Sequence, residues 1–166
     1  MALRIRLENL RQHEMLQDLI LAAESRYWEG LELLTSGKVD GGVYLLGYVA
    51  EMLLKHACLR IDGLGPLDPV TLGPQRTYGR HHFKHIAHES YHSVRFWGRV
   101  LLHRRRAVGN PLPGTIEREL LRRVRRLYQN WWYQIRYRSP LADATEAEQV
   151  YDDVTWLRDR GTSLWR

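Results

Sequence analysis

The chain has 166 residues, a formal net charge of +6 and one cysteine, which is typical of a single folded domain without disulfides or a cysteine-based zinc site. No apolar run reaches the length needed to span a membrane, and no signal-peptide segment is recognisable, so the sequence predicts a cytoplasmic protein with no membrane partner. We therefore expect residues 1–166 to form one domain. The distribution of its charge is then the first indication of what it binds.

The positive charge is concentrated in one stretch of the chain. Between residues 95 and 138 there are twelve arginines and two acids, Glu117 and Glu119, a balance of +10, and the other residues sum to −4, which together give +6. The planar guanidinium group of arginine matches phosphate and carboxylate groups well. The stretch therefore indicates RNA, DNA, a nucleotide or an acidic protein as partner, unless it is only a solvated charged face.

Apolar residues that recur every three or four positions predict helices along the first third of the chain. The first predicted helix covers about residues 8–36 and ends at Gly37, a typical C-terminal stop. The second covers residues 40–61, with Asp40 as its N-cap candidate. A long loop rich in glycine and proline is predicted over residues 62–79.

Three more helices are predicted in the remainder of the chain. The third covers residues 80–106, and a turn at 109–114 separates it from a fourth helix capped by Thr115. Thr145 and Glu148 form a capping box at the start of the fifth. Because most connections are short, we expect an all-α fold, an up-and-down antiparallel four-helix bundle with an additional helix.

One line along the third predicted helix carries only imidazole and guanidinium groups, and we call it the His/Arg line. Its spacings of three and four residues place the members on one helical face. Because no Asp or Glu interrupts the line, this face is suited to bind phosphate and to transfer protons near neutral pH. The members are His81, His85, His88, His92, Arg95, Arg99, His103 and Arg106.

Two histidine pairs of the His/Arg line also have a spacing used for metal ligands. His81 with His85, and His88 with His92, each place two imidazoles one helical turn apart, as in some zinc or nickel sites. No carboxylate lies in the line, however, and the neighbouring arginines repel a cation. The sequence therefore predicts no metal and no other cofactor.

Three passages resemble the HEPN domain family. The segment YLLGYVAEMLLKHACL, residues 44–59, resembles the family's small residue followed by Ala-Glu, an apolar pair and Lys. The segment WYQIRYRSP, residues 132–140, resembles the Arg-Tyr-x-x-Pro passage that precedes the last helix in one branch. His85-Ile86 stands where that branch often has His-Asp-Leu. Together the passages span about residues 20–160.

The resemblance implies an all-α bundle that forms a homodimer and has one of two functions. Many HEPN proteins are metal-independent endoribonucleases of toxin–antitoxin or defence modules, and they frequently pair with a nucleotidyltransferase-type antitoxin. Others are non-catalytic modules that bind RNA, a nucleotide or a partner protein. We therefore expect an RNA-directed protein, either a nuclease or a binding module that uses its arginine-rich surface.

The catalytic pattern of the family is an arginine, four to six other residues, and a histidine. Arg80 and His85 have this spacing, and by the resemblance His85 is the acid or base while Arg80 stabilises charge on the phosphate. In many members the pattern lies near the last core helix. Here no histidine follows Arg138, a departure that favours the non-catalytic alternative.

The remaining candidates are a charged pair on the second helix and a set of residues that we expect to contact RNA or a nucleotide. Glu51 and Lys55 are four residues apart on the second helix, and they are either an ordinary ion pair or a pair in which Glu51 orients an arginine or histidine across the bundle. Tyr137 lies between two arginines and either contacts a base or anchors its own segment to the bundle. The predicted contact residues are His81, His88, His92, Arg95, Arg99, Arg136, Tyr137 and Arg138.

Overall fold

A computed structural model describes residues 14–84, 92–131 and 142–166. These residues form helices and no strand, so the all-α prediction is confirmed for them, although they contain more helices than the five expected. None of the helices in these ranges combines the length and the apolar character needed to cross a membrane. The helices are α1 (Leu16–Thr35), α2 (Val39–Ile61), α3 (Gly73–His82), α4 (Val94–Ala107), α5 (Gly114–Asn130), α6 (Ala144–Asp159) and α7 (Gly161–Trp165).

Helix α2 is the centre of the core. It packs against α1, α4, α6 and α7, while α5 covers α4 and α6, and α3 lies on α4. Val43, Leu46, Ala50 and Leu54 are completely buried. A helix that is apolar on most of its circumference is stable only when other elements surround it. The predicted span of 40–61 agrees with α2 to within one residue.

Trp131 closes the core where α5 ends. Its side chain is buried, and its indole Nε1 donates a hydrogen bond to the carbonyl of Tyr44 at 3.2 Å. The indole lies directly on Gly47 of α2, where a Cβ atom would come within 2.1 Å of the ring. Glycine is therefore the residue that lets the tryptophan reach the surface of α2.

The predicted third helix over residues 80–106 is wrong. Helix α3 ends at His82, and α4 begins only at Val94, where the hydroxyl of Ser93 accepts a hydrogen bond from a backbone N–H of the first turn. A serine cap at this point starts a new helix, although the residue spacing continues across it. His92 lies in the turn before the cap, so the described members of the His/Arg line are divided between α3, this turn and α4.

The predicted loop over residues 62–79 is also wrong in its second half, because α3 already begins at Gly73. Pro74 lies in the first turn, where a helix does not use the backbone N–H that proline lacks. Gly79 lets α3 approach α4, since a Cβ atom there would come within 2.3 Å of the Phe96 ring. Pro74 and Gly79, which the sequence predicts to lie in the loop, instead serve a helix start and a close contact.

Several helix starts differ from the predicted ones. Asp40 and Thr115 are not the N-caps that the sequence predicts, because α2 follows Lys38 and α5 follows Pro113, and neither of these residues forms a side-chain cap hydrogen bond. Helix α1 begins at Leu16, later than expected.

The capping box of α6 consists of Asp143 and Glu146 rather than Thr145 and Glu148, because an Oδ1 atom of Asp143 accepts the Glu146 N–H at 2.8 Å. Both choices satisfy the capping pattern, and the structure uses the one that lies two residues earlier.

Candidate functional site

Several arginines of the basic stretch stabilise the fold. Arg104 donates to the carboxylate of Asp62 at 2.6 Å, and this acid lies outside the stretch. The buried Arg105 donates to the carbonyls of Asn110 and Leu164 at 2.8 and 2.9 Å. The local balance of +10 therefore overstates the charge that α4 offers to a ligand.

Arginines of α5 make two carboxylate contacts with α6 and two within α5 itself. Asp153 of α6 is completely buried and accepts hydrogen bonds from Arg123 at 3.0 Å and Arg126 at 2.7 Å. Glu119 accepts from Arg122 at 2.7 Å and from Arg123 at 2.6 Å. These hydrogen bonds, the one from Arg122 first, lower the pKa of Glu119 to about 2. One face of α5 is thereby neutralised by acids.

Three further arginines line a groove between α4 and α5, which we call the arginine groove. It encloses about 480 Å³ and receives Arg95 and Arg99 from α4 and Arg125 from α5. No Asp or Glu is among the described residues that line it. A concave site of this size with convergent guanidinium groups is suited to an anionic ligand. Its other lining residues are Leu121, Val124, Tyr128 and Gln129.

The arginine groove also has an aromatic and aliphatic side. The guanidinium group of Arg95 lies over the ring of Tyr128, 4.5 Å from its centre, as in cation–π pairs. Leu121 is 39% exposed on the same helix as Tyr128. The arrangement therefore offers planar and apolar surface next to cationic groups.

Sequence reasoning predicted two of the three arginines in this groove. Arg95 and Arg99 were expected on one helical face, and the structure brings them together. Arg125 was missed as a site residue because α5 carries several arginines. The signal that could have identified it is its spacing of four residues from Leu121 and three from Tyr128, which places the three on one face.

His92 is held by a buried carboxylate. Its Nδ1 atom lies 3.0 and 3.1 Å from the two carboxylate oxygens of Glu51. The Glu51 side chain is 4% exposed and the His92 side chain 45%. Lys55 forms an ion pair with the same carboxylate, so both interpretations of Glu51 apply. A carboxylate at one ring nitrogen fixes the orientation and tautomer of an imidazole.

A cluster of histidine and tyrosine side chains lies where α3 meets α4. The hydroxyl of Tyr78 is 2.5 Å from Nδ1 of His103, and the ring of His82 is centred 4.5 Å from that of His103. Loss of hydration, followed by the charges of His103 and His81, lowers the pKa of His82. Arg80 and His81 are exposed at the end of α3. Within the described ranges no group of three or more His, Cys, Asp or Glu residues is arranged to hold a metal ion.

Five of the predicted site residues lie outside the described residues, so their contacts stay predictions. This applies to the pairing of Arg80 with His85, to both histidine pairs that have metal-ligand spacing, and to the Arg-Tyr-Arg passage. The five residues are His85, His88, Arg136, Tyr137 and Arg138.

The chain has no significant match to a protein-family model, a curated protein or a solved structure. The resemblance to HEPN domains accordingly depends on the three sequence passages, while the arginine groove and the Glu51–His92 pair depend on geometry.

Proposed function

We propose that the protein binds RNA and that phosphate groups of the RNA occupy the arginine groove. The observation that carries the proposal is the convergence of Arg95, Arg99 and Arg125 on one groove whose described lining has no carboxylate. Arg104 and Arg126 donate to acids of the fold. Within the described part of the basic stretch, the groove brings three guanidinium groups to one concave surface, and this convergence supports the proposal.

The chemistry of the groove favours a nucleic acid over a simple acidic partner. Arginine forms bidentate, charge-assisted hydrogen bonds with phosphate oxygens. Aromatic rings and guanidinium planes next to such groups are typical of surfaces that bind single-stranded nucleic acids, and the stack of Arg95 on Tyr128 supplies both. The HEPN resemblance supports RNA and, with it, a homodimer acting in a toxin–antitoxin or defence module beside a nucleotidyltransferase-type antitoxin.

Charge-removing variants test the proposal. Fluorescence anisotropy with a short labelled RNA should show that Arg99→Gln and Arg125→Gln each weaken binding roughly tenfold, since a charge-assisted hydrogen bond contributes about 1.5–3 kcal/mol. Arg160→Gln removes the same charge from an exposed residue in the turn between α6 and α7 and should change affinity less than about twofold. Equal losses in all three variants, or none in the groove variants, would contradict the proposal.

Metal-independent cleavage of the bound RNA is a second candidate function. The observation that favours it is the contact between His92 and the buried carboxylate of Glu51. An imidazole oriented by Glu51 is suited to take the proton of a ribose 2′-hydroxyl, while an arginine stabilises the phosphate charge that develops. The resemblance assigns the acid–base role to His85 instead. The two assignments differ in which single variant abolishes the reaction.

Cleavage is tested with purified protein and labelled RNA in EDTA. Loss of cleavage in His92→Gln but not in His85→Ala would identify His92 as the acid–base residue, and the reverse result would identify His85. Cleavage that persists in both variants would contradict both assignments. Absence of cleavage in the wild-type protein, with RNA binding retained, would leave the non-catalytic binding module as its function.

A further inference from the structure

The arginine groove has a cationic side and an apolar, aromatic side, whereas a site that binds only phosphate requires the cationic side alone. Arg95, Arg99 and Arg125 supply the cationic groups, and Leu121 and Tyr128 supply apolar and aromatic surface. Helix α5 is otherwise rich in charged residues, yet its leucine at position 121 is 39% exposed. Phosphate contacts alone gain nothing from a leucine and a tyrosine in the same recess, whereas a base presents a flat apolar face.

The volume of the groove suits one nucleotide. Pockets of roughly 300–1,000 Å³ hold molecules of drug size, which includes a base with its ribose and phosphate. The arginine groove, at about 480 Å³, is at the lower end of this range. It therefore has space for a single nucleotide.

A base in a duplex is paired along its edge and stacked on both faces, so it enters such a pocket only after being flipped out at an energetic cost. An unpaired base is free to stack on an aromatic ring or a guanidinium plane. We infer that the arginine groove binds one unpaired nucleotide, its base against Leu121 and the Arg95–Tyr128 stack and its phosphate on the arginines. This inference rests on the proposed RNA binding and narrows its substrate class to single-stranded RNA.

The test compares three forms of one labelled RNA at a single salt concentration, namely the single strand, its fully paired duplex, and a single strand with abasic residues. The wild-type protein should bind the single strand about tenfold more tightly than either other form, as expected when one stacked base is gained. Leu121→Ser and Tyr128→Leu should each weaken single-strand binding roughly fivefold and change duplex binding less than about twofold. Leu21→Ser, at a 64% exposed leucine of α1, is the matched control and should change neither.

The outcomes separate this inference from the proposal on which it depends. Equal affinity for all three forms, with binding still sensitive to Arg125→Gln, would overturn the nucleotide pocket and keep the phosphate site. Failure to bind any of the three RNAs would overturn both. Because Tyr128→Leu could also affect folding, the wild-type protein is crosslinked to RNA containing 4-thiouridine. Adducts on the peptide that contains Tyr128 support the inference, and adducts confined to other peptides overturn it.

Discussion

Replacing Asp153 with alanine should destabilise the fold and leave RNA binding intact. The carboxylate is completely buried between α5 and α6 and accepts hydrogen bonds from Arg123 and Arg126. Both arginines belong to the set that we assign to stability rather than to ligand binding. The variant therefore tests the division of the basic stretch into structural arginines and groove arginines.

The structure sets the expected size of the effect. Removing one partner of a buried ion pair costs about 3–5 kcal/mol, because the remaining charge is left without compensation. Here the side chains of Arg123 and Arg126 are 15% and 28% exposed, and Arg123 keeps its contact with Glu119. We therefore expect a loss of about 2–3 kcal/mol in the free energy of unfolding, below the full cost. For a chain of this length that corresponds to a fall in Tm of roughly 5–10 °C.

Thermal unfolding followed by circular dichroism measures the stability, and RNA anisotropy measures the affinity. Asp152→Ala is the matched control, because its side chain is exposed on the same helix, and it should cost less than about 0.5 kcal/mol. A fall in Tm below about 2 °C for Asp153→Ala would refute the stability reasoning. A loss of RNA affinity as large as that of Arg125→Gln would refute the assignment of these arginines to structure.

Three more substitutions follow from buried or paired groups. Gly47→Ala would bring a Cβ atom to 2.1 Å from the Trp131 indole, so urea denaturation should show a loss of about 2 kcal/mol or more, and an unchanged midpoint would contradict the predicted clash. Burial first, and then the charge of Arg60, lowers the pKa of His56 from 6.5 to about 4. The stability of the fold should therefore decrease as the pH falls from 6.5 to about 4. The variant His56→Phe should flatten this part of the curve of Tm against pH. The pKa of Glu119 is lowered from 4.5 to about 2, so its contribution to stability is present above pH 4.5 and is lost as the pH falls toward 2. If Tm decreases with falling pH as steeply in Glu119→Gln as in the wild-type protein, this prediction is contradicted.

Local patterns in the sequence predicted some helices well and missed one break. The apolar periodicity of α2 was sufficient because most of its residues are buried, and its ends were predicted to within one residue. The break between α3 and α4 was missed because the spacing of the His/Arg line continues across it. The Ser93 cap marks the start of α4, and the contact of Gly79 with Phe96 across the two helices depends on tertiary packing. Such a contact leaves no periodic signal.

The residues that line the arginine groove could be predicted only in part, because spacing along one helix carries no information about contacts between helices. Arg95 and Arg99 were recognised because their spacing on one helix determines that they share a face. Arg125 was missed because a count of charges does not show which arginines of α5 meet an acid. Only the position of Asp153 on α6 separates Arg126, which it pairs, from Arg125, which lines the groove.

The salt dependence of RNA binding tests the central claim most directly. Each phosphate contact in single-stranded RNA contributes about −0.7 to the slope of log K against log salt concentration, so three groove arginines predict a wild-type slope of about −2 or steeper. The double variant of Arg99→Gln with Arg125→Gln should make the slope shallower by about 1.4, whereas Arg160→Gln should leave it unchanged. A double variant that keeps both the wild-type slope and the wild-type affinity would contradict the assignment of the arginine groove as the phosphate site.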